Sequence, residues 1–237
     1  MNKDALQELL NLSGDTLVNN LYTAIPCIVL GVIDNLNGCM VNIQPTINQK
    51  MKDGTVKERQ PILGVPVVFP CSRTSAFTFP IEAGDTGLAV FSMRSLDAWK
   101  SGQGMPSAPL NFAKFDKGDA IFIPGLQPSL ISVNNPSSRF WPHNTKDTVV
   151  AHNIGTANEV EMRMTPEGNF LIKTNADVQV QAENVAVTAS YMSVEVADTE
   201  WVGNITHAGV LNSNGIVFDS HVHTGVQSGP STTGGPQ

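Results

Sequence analysis

Residues 178–198 read "VQVQAEN VAVTASY MSVEVAD", three successive blocks of seven. First positions are Val178, Val185 and Met192; third positions are Val180, Val187 and Val194; fifth positions are Ala182, Ala189 and Val196. Within a block apolar residues alternate, as on a strand with one buried face. From block to block the phase slips by one residue, which requires a corner. Strand, corner, strand at a fixed period is the pattern of a β-solenoid. Seven residues cannot carry one chain round a full coil, but they make one side of a triangle. Three identical chains, each supplying a side and then moving to the next, close an intertwined trimeric β-helix with a narrow Val/Ala core. A heptad coiled coil shares the period but needs apolar residues three and four apart. The blocks above (Leu171, Lys173, Asn175) and below (Thr199, Trp201, Gly203) fit loosely.

Energetics favour the trimer. Burying a Val side chain is worth about 1.5–3 kcal/mol. The nine inward positions of 178–196, some only Ala, give on the order of ten kcal/mol once three copies close the prism. A lone chain gains almost none of it and still loses about 1–2 kcal/mol of entropy per ordered residue. No stable folded monomer of this region is expected.

Below the repeat the chain reads "FDSHVHTGVQSGPSTTGGPQ", residues 218–237. His221 and His223 lie two apart, so on an extended chain their imidazoles share a side. Two nitrogens are too few for a tight site. A threefold axis at the end of the prism brings three His-x-His pairs together, giving six nitrogens. Zn²⁺ favours four ligands in a tetrahedron, so six nitrogens point to an octahedral metal such as Fe²⁺, Co²⁺ or Ni²⁺. A cage filled by protein has no open position, which makes it structural rather than catalytic. His143, His152 and His207 lack such context and read as surface or core residues. A metalloenzyme would need an open metal position and a general base; Asp219, beside the pair, reads better as orienting a histidine or ending the strand.

Upstream, "AIPCIVLGVI" (24–33) and "CMVNIQP" (39–45) are strands joined by the turn "DNLNG" (34–38). A polar loop follows, then the strand run "PILGVPVVFP" (61–70). "FTFPIEAGDTGLAVFS" (77–92) reads as two strands around Gly84-Asp85. About five short strands predict a small Greek-key barrel such as an OB fold. Residues 124–145, rich in Gly and Pro, read as a connector. "GQGMPS" (102–107) lacks the Lys-Ser/Thr pair and the βαβ setting of a phosphate loop. Residues 4–22, "DALQELLNLSGDTLVNNLY", carry an amphipathic helical spacing in Leu6, Leu9, Leu10, Leu17, Val18 and Leu21, broken near Ser13-Gly14-Asp15. That segment fits either a docking helix for its own domain or a partner-binding helix.

Composition agrees with an all-β chain. Aromatics are 6% of the 237 residues, against 20 Gly and 15 Pro, a profile of strands and turns rather than long helices. The 3 cysteines, Cys27, Cys39 and Cys71, form no disulfide framework and read as buried thiols of a reducing cytoplasm. No signal peptide or membrane-helix run is read. From Met164 onward the single base Lys173 faces seven acids, so this part carries −6 of the net −7. Such a surface does not hold phosphates, which argues against nucleic-acid binding.

"DSHVHTGVQSGPSTTGGP" (219–236) resembles the apex segment of membrane-piercing central spikes of contractile-tailed phages. "GVPVVFP" (64–70), "EAGDTGLAVFSMRSLDAW" (82–99) and "DAIFIPGLQP" (119–128) resemble the N-terminal OB-fold domain of small spikes of that family. The resemblance implies a homotrimer with OB domains at the wide end, then a β-helix, then a pointed tip. It implies one iron ion per trimer, held by His221 and His223 of each chain. It further implies docking to a tail-tube or baseplate hub at the OB end, transient contact with the host outer membrane, assembly in the host cytoplasm and a place at the baseplate tip of the virion. The expected segments are a helical 1–22, an OB fold over 23–128, a connector and start of β-helix over 129–165, a shaft over 166–212 and an apex over 213–237. The connector leaves no room for the lysozyme domain of some larger spikes, so puncture would be mechanical and the protein not an enzyme. The rival expectation is a tail-associated adhesin that grips a surface glycan through its β-helix, for which Tyr191 and Trp201 are the shaft's aromatic candidates.

Overall fold

A computed structural model of the chain describes residues 21–35, 38–51 and 53–218, with isolated Gln7, Ser220 and Gly229. Apart from helical Gln7, the expected N-terminal helix lies outside the described residues. The chain is all-β in character and divides into two units, Met1–Gln179 and Val180–Gln237.

The first unit begins with a hairpin. β1 (Ala24–Asn35) and β2 (Gly38–Pro45) pair antiparallel from Asn35↔Gly38 to Cys27↔Pro45, with a bulge between Val29 and Gly31. Two short strands follow, β3 (Gln49–Lys50) and β4 (Val56–Lys57). Asp53 shapes their turn: its Oδ1 accepts from the Thr55 amide (2.9 Å) and hydroxyl (2.6 Å). β5 (Ile62–Pro66), β6 (Thr86–Phe91) and β7 (Ala120–Pro124) complete a five-stranded sheet in the order β5-β2-β1-β6-β7. The sheet curls until its edges meet, where Val67 bridges Phe122 in parallel and the Val68 amide donates to the Phe122 carbonyl at 2.9 Å. Closure leaves few edges to aggregate.

Alternation explains most of the core. Cys27 and Val29, Val41 and Ile43, Ala89 and Phe91, and Ala120 and Phe122 all point inward and are buried; on β5 the buried pair, Ile62 and Val65, lies three apart, its phase restored by the irregularity opposite Val41 and Ile43. Phe122 needs room, which Gly87 supplies. A Cβ on Gly87 would come within 2.5 Å of both the Phe122 ring and the Ile123 carbonyl.

Two expectations are corrected here. Residues 77–81 form no strand. The Gly84–Asp85 turn is instead hydrogen-bonded to the β1 bulge, Gly84 N to Val29 O and Val29 N to Asp85 O, both 2.8 Å. With β2 and β6 flanking β1, no neighbour is left for 77–81, and Pro80 has no amide to donate. Phe77 and Phe79 gather with Phe69 in edge-on ring contacts. Cys27 is buried as expected, but Cys71 is exposed, because it sits in a tight 71–76 turn outside the sheet.

The presumed connector is structured. Short helical turns, Ser129–Ile131 and Pro136–Ser138, lead into a three-stranded antiparallel sheet of β8 (Thr148–His152), β9 (Val160–Met164) and β10 (Phe170–Lys173), in the order β10-β9-β8. In the second unit, β11 (Asn212–Ser213) and β12 (Ile216–Val217) form a small hairpin. Asn214 and Gly215 at its turn both take positive φ, as a two-residue hairpin loop requires.

Candidate functional site

The residues expected to hold a metal, His221 and His223, lie outside the described residues. The described chain runs up to them through the β11–β12 hairpin, where the Phe218 amide donates to the Leu211 carbonyl at 2.9 Å. Of the other histidines, His143 is buried, and His152 and His207 are exposed. Among the described residues, no three His, Cys, Asp or Glu side chains gather into a group able to hold a metal.

Residues 175–216 show what the repeat does in one chain. Every residue from 175 to 216 is exposed, and 174–211 form no strand pairing among the described residues. The column valines Val178, Val180, Val185, Val187, Val194 and Val196 are 58–75% exposed. Both faces of the extended chain are open to water. A run of apolar residues left this exposed marks an interaction surface.

The sheet upstream carries a second apolar face. On β9, Val160, Met162 and Met164 face solvent, while Glu161 and Arg163 are buried. Register places Phe170 opposite Met164, Ile172 opposite Met162 and Val150 opposite Met162, so these share the outward face. Phe170 and Ile172 are themselves exposed. The polarity of an ordinary half-buried sheet is reversed.

The buried face explains the reversal. Arg163 Nη2 lies 2.6 Å from Glu161 Oε1 and donates to the Trp141 carbonyl at 3.0 Å; Nη1 donates to the Pro142 carbonyl at 3.2 Å. Asp147 approaches Arg163 at 3.9 Å and Lys173 approaches Glu161 at 3.7 Å. Glu159 accepts from the amides of Phe140 (3.0 Å) and Gly155 (2.6 Å), with Arg139 at 3.8 Å. Three cations and three carboxylates thus pin residues 139–147 and the 155 turn to the sheet. Beside them His143 Nε2 meets Asn134 Oδ1 at 3.2 Å. Burial, then the charges of Arg139 and Arg163, push its pKa below the usual 6.5, against the pull of Asp147 and Glu161. Buried ion pairs add little net stability over apolar substitutes, but they fix one arrangement.

Sequence reading missed this network. "VEMRM" (160–164) alternates visibly, but alternation gives a period, not which face is covered. The detectable signal was Glu159, Glu161 and Arg163 in one phase, with an aromatic, Pro-rich stretch at 139–142 to lie over them.

Two families match the chain. Residues 25–125 match the Phage protein Gp138 N-terminal domain. That span begins one residue inside β1 and ends one residue after β7, so it coincides with the curled sheet. Residues 215–237 match the GpV Apex motif, a span that starts in the β11–β12 turn and includes positions 221 and 223. No curated protein matches the chain.

Proposed function

With the chain a phage central spike protein of the GpV-like kind, we propose that three copies form a needle that punctures the host outer membrane mechanically when the tail contracts. The curled sheet is an OB-type barrel at the wide end, where a tail-tube or baseplate hub protein docks. The shaft is an intertwined trimeric β-helix, and the protein, a virion component, stands at the baseplate tip after assembly in the host cytoplasm. One observation carries this reading. Apolar columns with no cover in their own chain lie upstream of the apex segment, and every residue from 175 to 216 between and around them is exposed, so a threefold partner and a point are assigned to the same end of the chain. The outward face of β8–β10 is a second apolar surface that needs covering.

At the tip, His221 and His223 of three chains would hold one iron ion through six imidazole nitrogens. The donor set fits such an ion, because neutral nitrogens in a six-fold set suit an octahedral first-row metal and leave no position for substrate. Bound there, the ion supplies a structural clamp; the chain's own share is to bring paired imidazoles to one side of an extended segment. No catalysis is assigned. The charge network holds residues 139–147 and the three-stranded sheet in one arrangement, which suits a part that bears load.

The test is contraction on living cells. Particles carrying this spike should release a periplasmic reporter on contraction, and particles with the tip truncated before Ser220 should contract without release. Equal release from both would contradict puncture by this chain. A second reading has an observation of its own: Tyr191 and Trp201 are 81% and 73% exposed, as an adhesin's glycan platform requires. Saturable binding to host glycans that disappears with Tyr191→Ala and Trp201→Ala would favour it.

A further inference from the structure

One apolar surface belongs neither to the shaft nor to the outward face of β8–β10. The loop that follows the helical turn Asp97–Lys100 presents Met105, Leu110 and Phe112 at 69%, 71% and 97% exposure, with Trp99 at 51% beside them. Leu96, Trp99, Met105, Pro106 and Pro109 line an open groove of about 430 Å³ there. Scattered exposed apolar residues need no account, but a cluster of large ones does. Arg94 lines that groove, and across residues 94–117 four bases, Arg94, Lys100, Lys114 and Lys117, stand against Asp97 and Asp116 in a chain of net charge −7. Asp119 is withdrawn from that balance, being buried and accepting from the Leu96 amide at 2.7 Å.

The chain's own beginning is delivered to this place. The Tyr22 amide donates to the Phe115 carbonyl at 3.2 Å, the Phe115 amide to Ser92, and the Phe91 amide to the Thr23 carbonyl. Residue 21 therefore leaves the barrel at the foot of the loop, and Leu21 is itself half exposed. Phe112 is three residues from Phe115, a reach of about 10 Å. Residues 4–12 and 16–21, wound as two helical pieces on either side of the Ser13-Gly14-Asp15 break, would span about 13 and 9 Å, enough to lie along the loop. Their apolar stripe, Leu6, Leu10, Leu17 and Leu21, needs a partner, and the segment's acids complement these bases: Asp4, Glu8 and Asp15 against Lys3 leave residues 1–20 with a side-chain charge of −2. A tethered segment meets such a surface at an effective concentration on the order of millimolar.

We propose that the apolar face of residues 4–21 docks on the Trp99–Phe112 loop of the same chain. The segment is a cap for its own barrel, and its apolar stripe is not free for another protein while it is seated.

Hydrogen exchange on the full chain tests this. Amides of 102–114 should be protected, and the Leu6→Ser, Leu10→Ser, Leu17→Ser variant should exchange them at least about tenfold faster, with β1 and β6 unchanged. A loop that exchanges freely in the parent, or one whose protection survives the triple change, overturns the proposal. Chain identity is read separately. In a Cys39→Ser, Cys71→Ser background, a bifunctional thiol reagent should join Leu17→Cys to Met105→Cys within one chain on a denaturing gel. A ladder of joined chains overturns docking within the chain.

Discussion

Arg163 and Glu161 sit two positions apart on β9, and their side chains meet at 2.6 Å with both nearly excluded from water. Strand neighbours of opposite charge on one face ordinarily look outward. Here they look inward, where residues 139–147 supply carbonyls that complete the arginine's hydrogen bonds.

Breaking that pair should cost more than deleting it. Arg163→Met leaves Glu161 buried without its closest partner, and a loss of about 3–5 kcal/mol is expected. Arg163→Met with Glu161→Leu should recover most of it. Denaturant midpoints of the two variants check this, the single falling well below the double.

His143 makes the same region sensitive to acid. Its folded pKa lies below the usual 6.5, chiefly from burial. Between that lowered value and 6.5 the unfolded chain holds more protons, so stability rises with pH across the window and is lost as pH falls below about 6.5. Exchange of amides 139–147 in metal-free protein should quicken through that window, and His143→Gln should flatten the response.

Gly87 is predicted to be intolerant. An alanine Cβ would press on the Ile123 carbonyl and the Phe122 ring at 2.5 Å, and backbone cannot step aside as a side-chain tip can. Gly87→Ala should lower stability by about 1–3 kcal/mol, read as a fall in the melting temperature of the barrel. An unchanged melting temperature would mean that Phe122 repacks freely.

Thiol chemistry should separate the cysteines. Burial raises the Cys27 pKa to about 11, so that thiol is both covered and protonated. A maleimide at neutral pH should label exposed Cys71 and leave Cys27 untouched until the chain unfolds, as mass mapping of the labelled peptides will show.

Much of the barrel was legible in the sequence, because β1, β2, β6 and β7 alternate and turns such as 34–38 and 84–85 carry Gly, Asn or Asp. The exceptions have local causes. Residues 77–81 have strand composition, but every neighbouring strand edge was already taken. The 124–145 stretch looks like a linker because its anchors are charges distant in sequence, Glu159 and Arg163. Over 178–198 the period of valines and alanines says only that a face must be covered, and in the described chain that face stays open. His221 and His223 are legible as a donor pair, yet their arrangement lies outside the described residues.

Native mass and metal content on one preparation decide whether the apolar columns of 178–198 belong to a prism of three chains closed at the tip by His221 and His223. A trimer with one iron per three chains is expected. Val187→Asp should scatter that trimer, and His221→Ala with His223→Ala should empty it of metal while the barrel stays folded. A folded, metal-free single chain of native mass would contradict it.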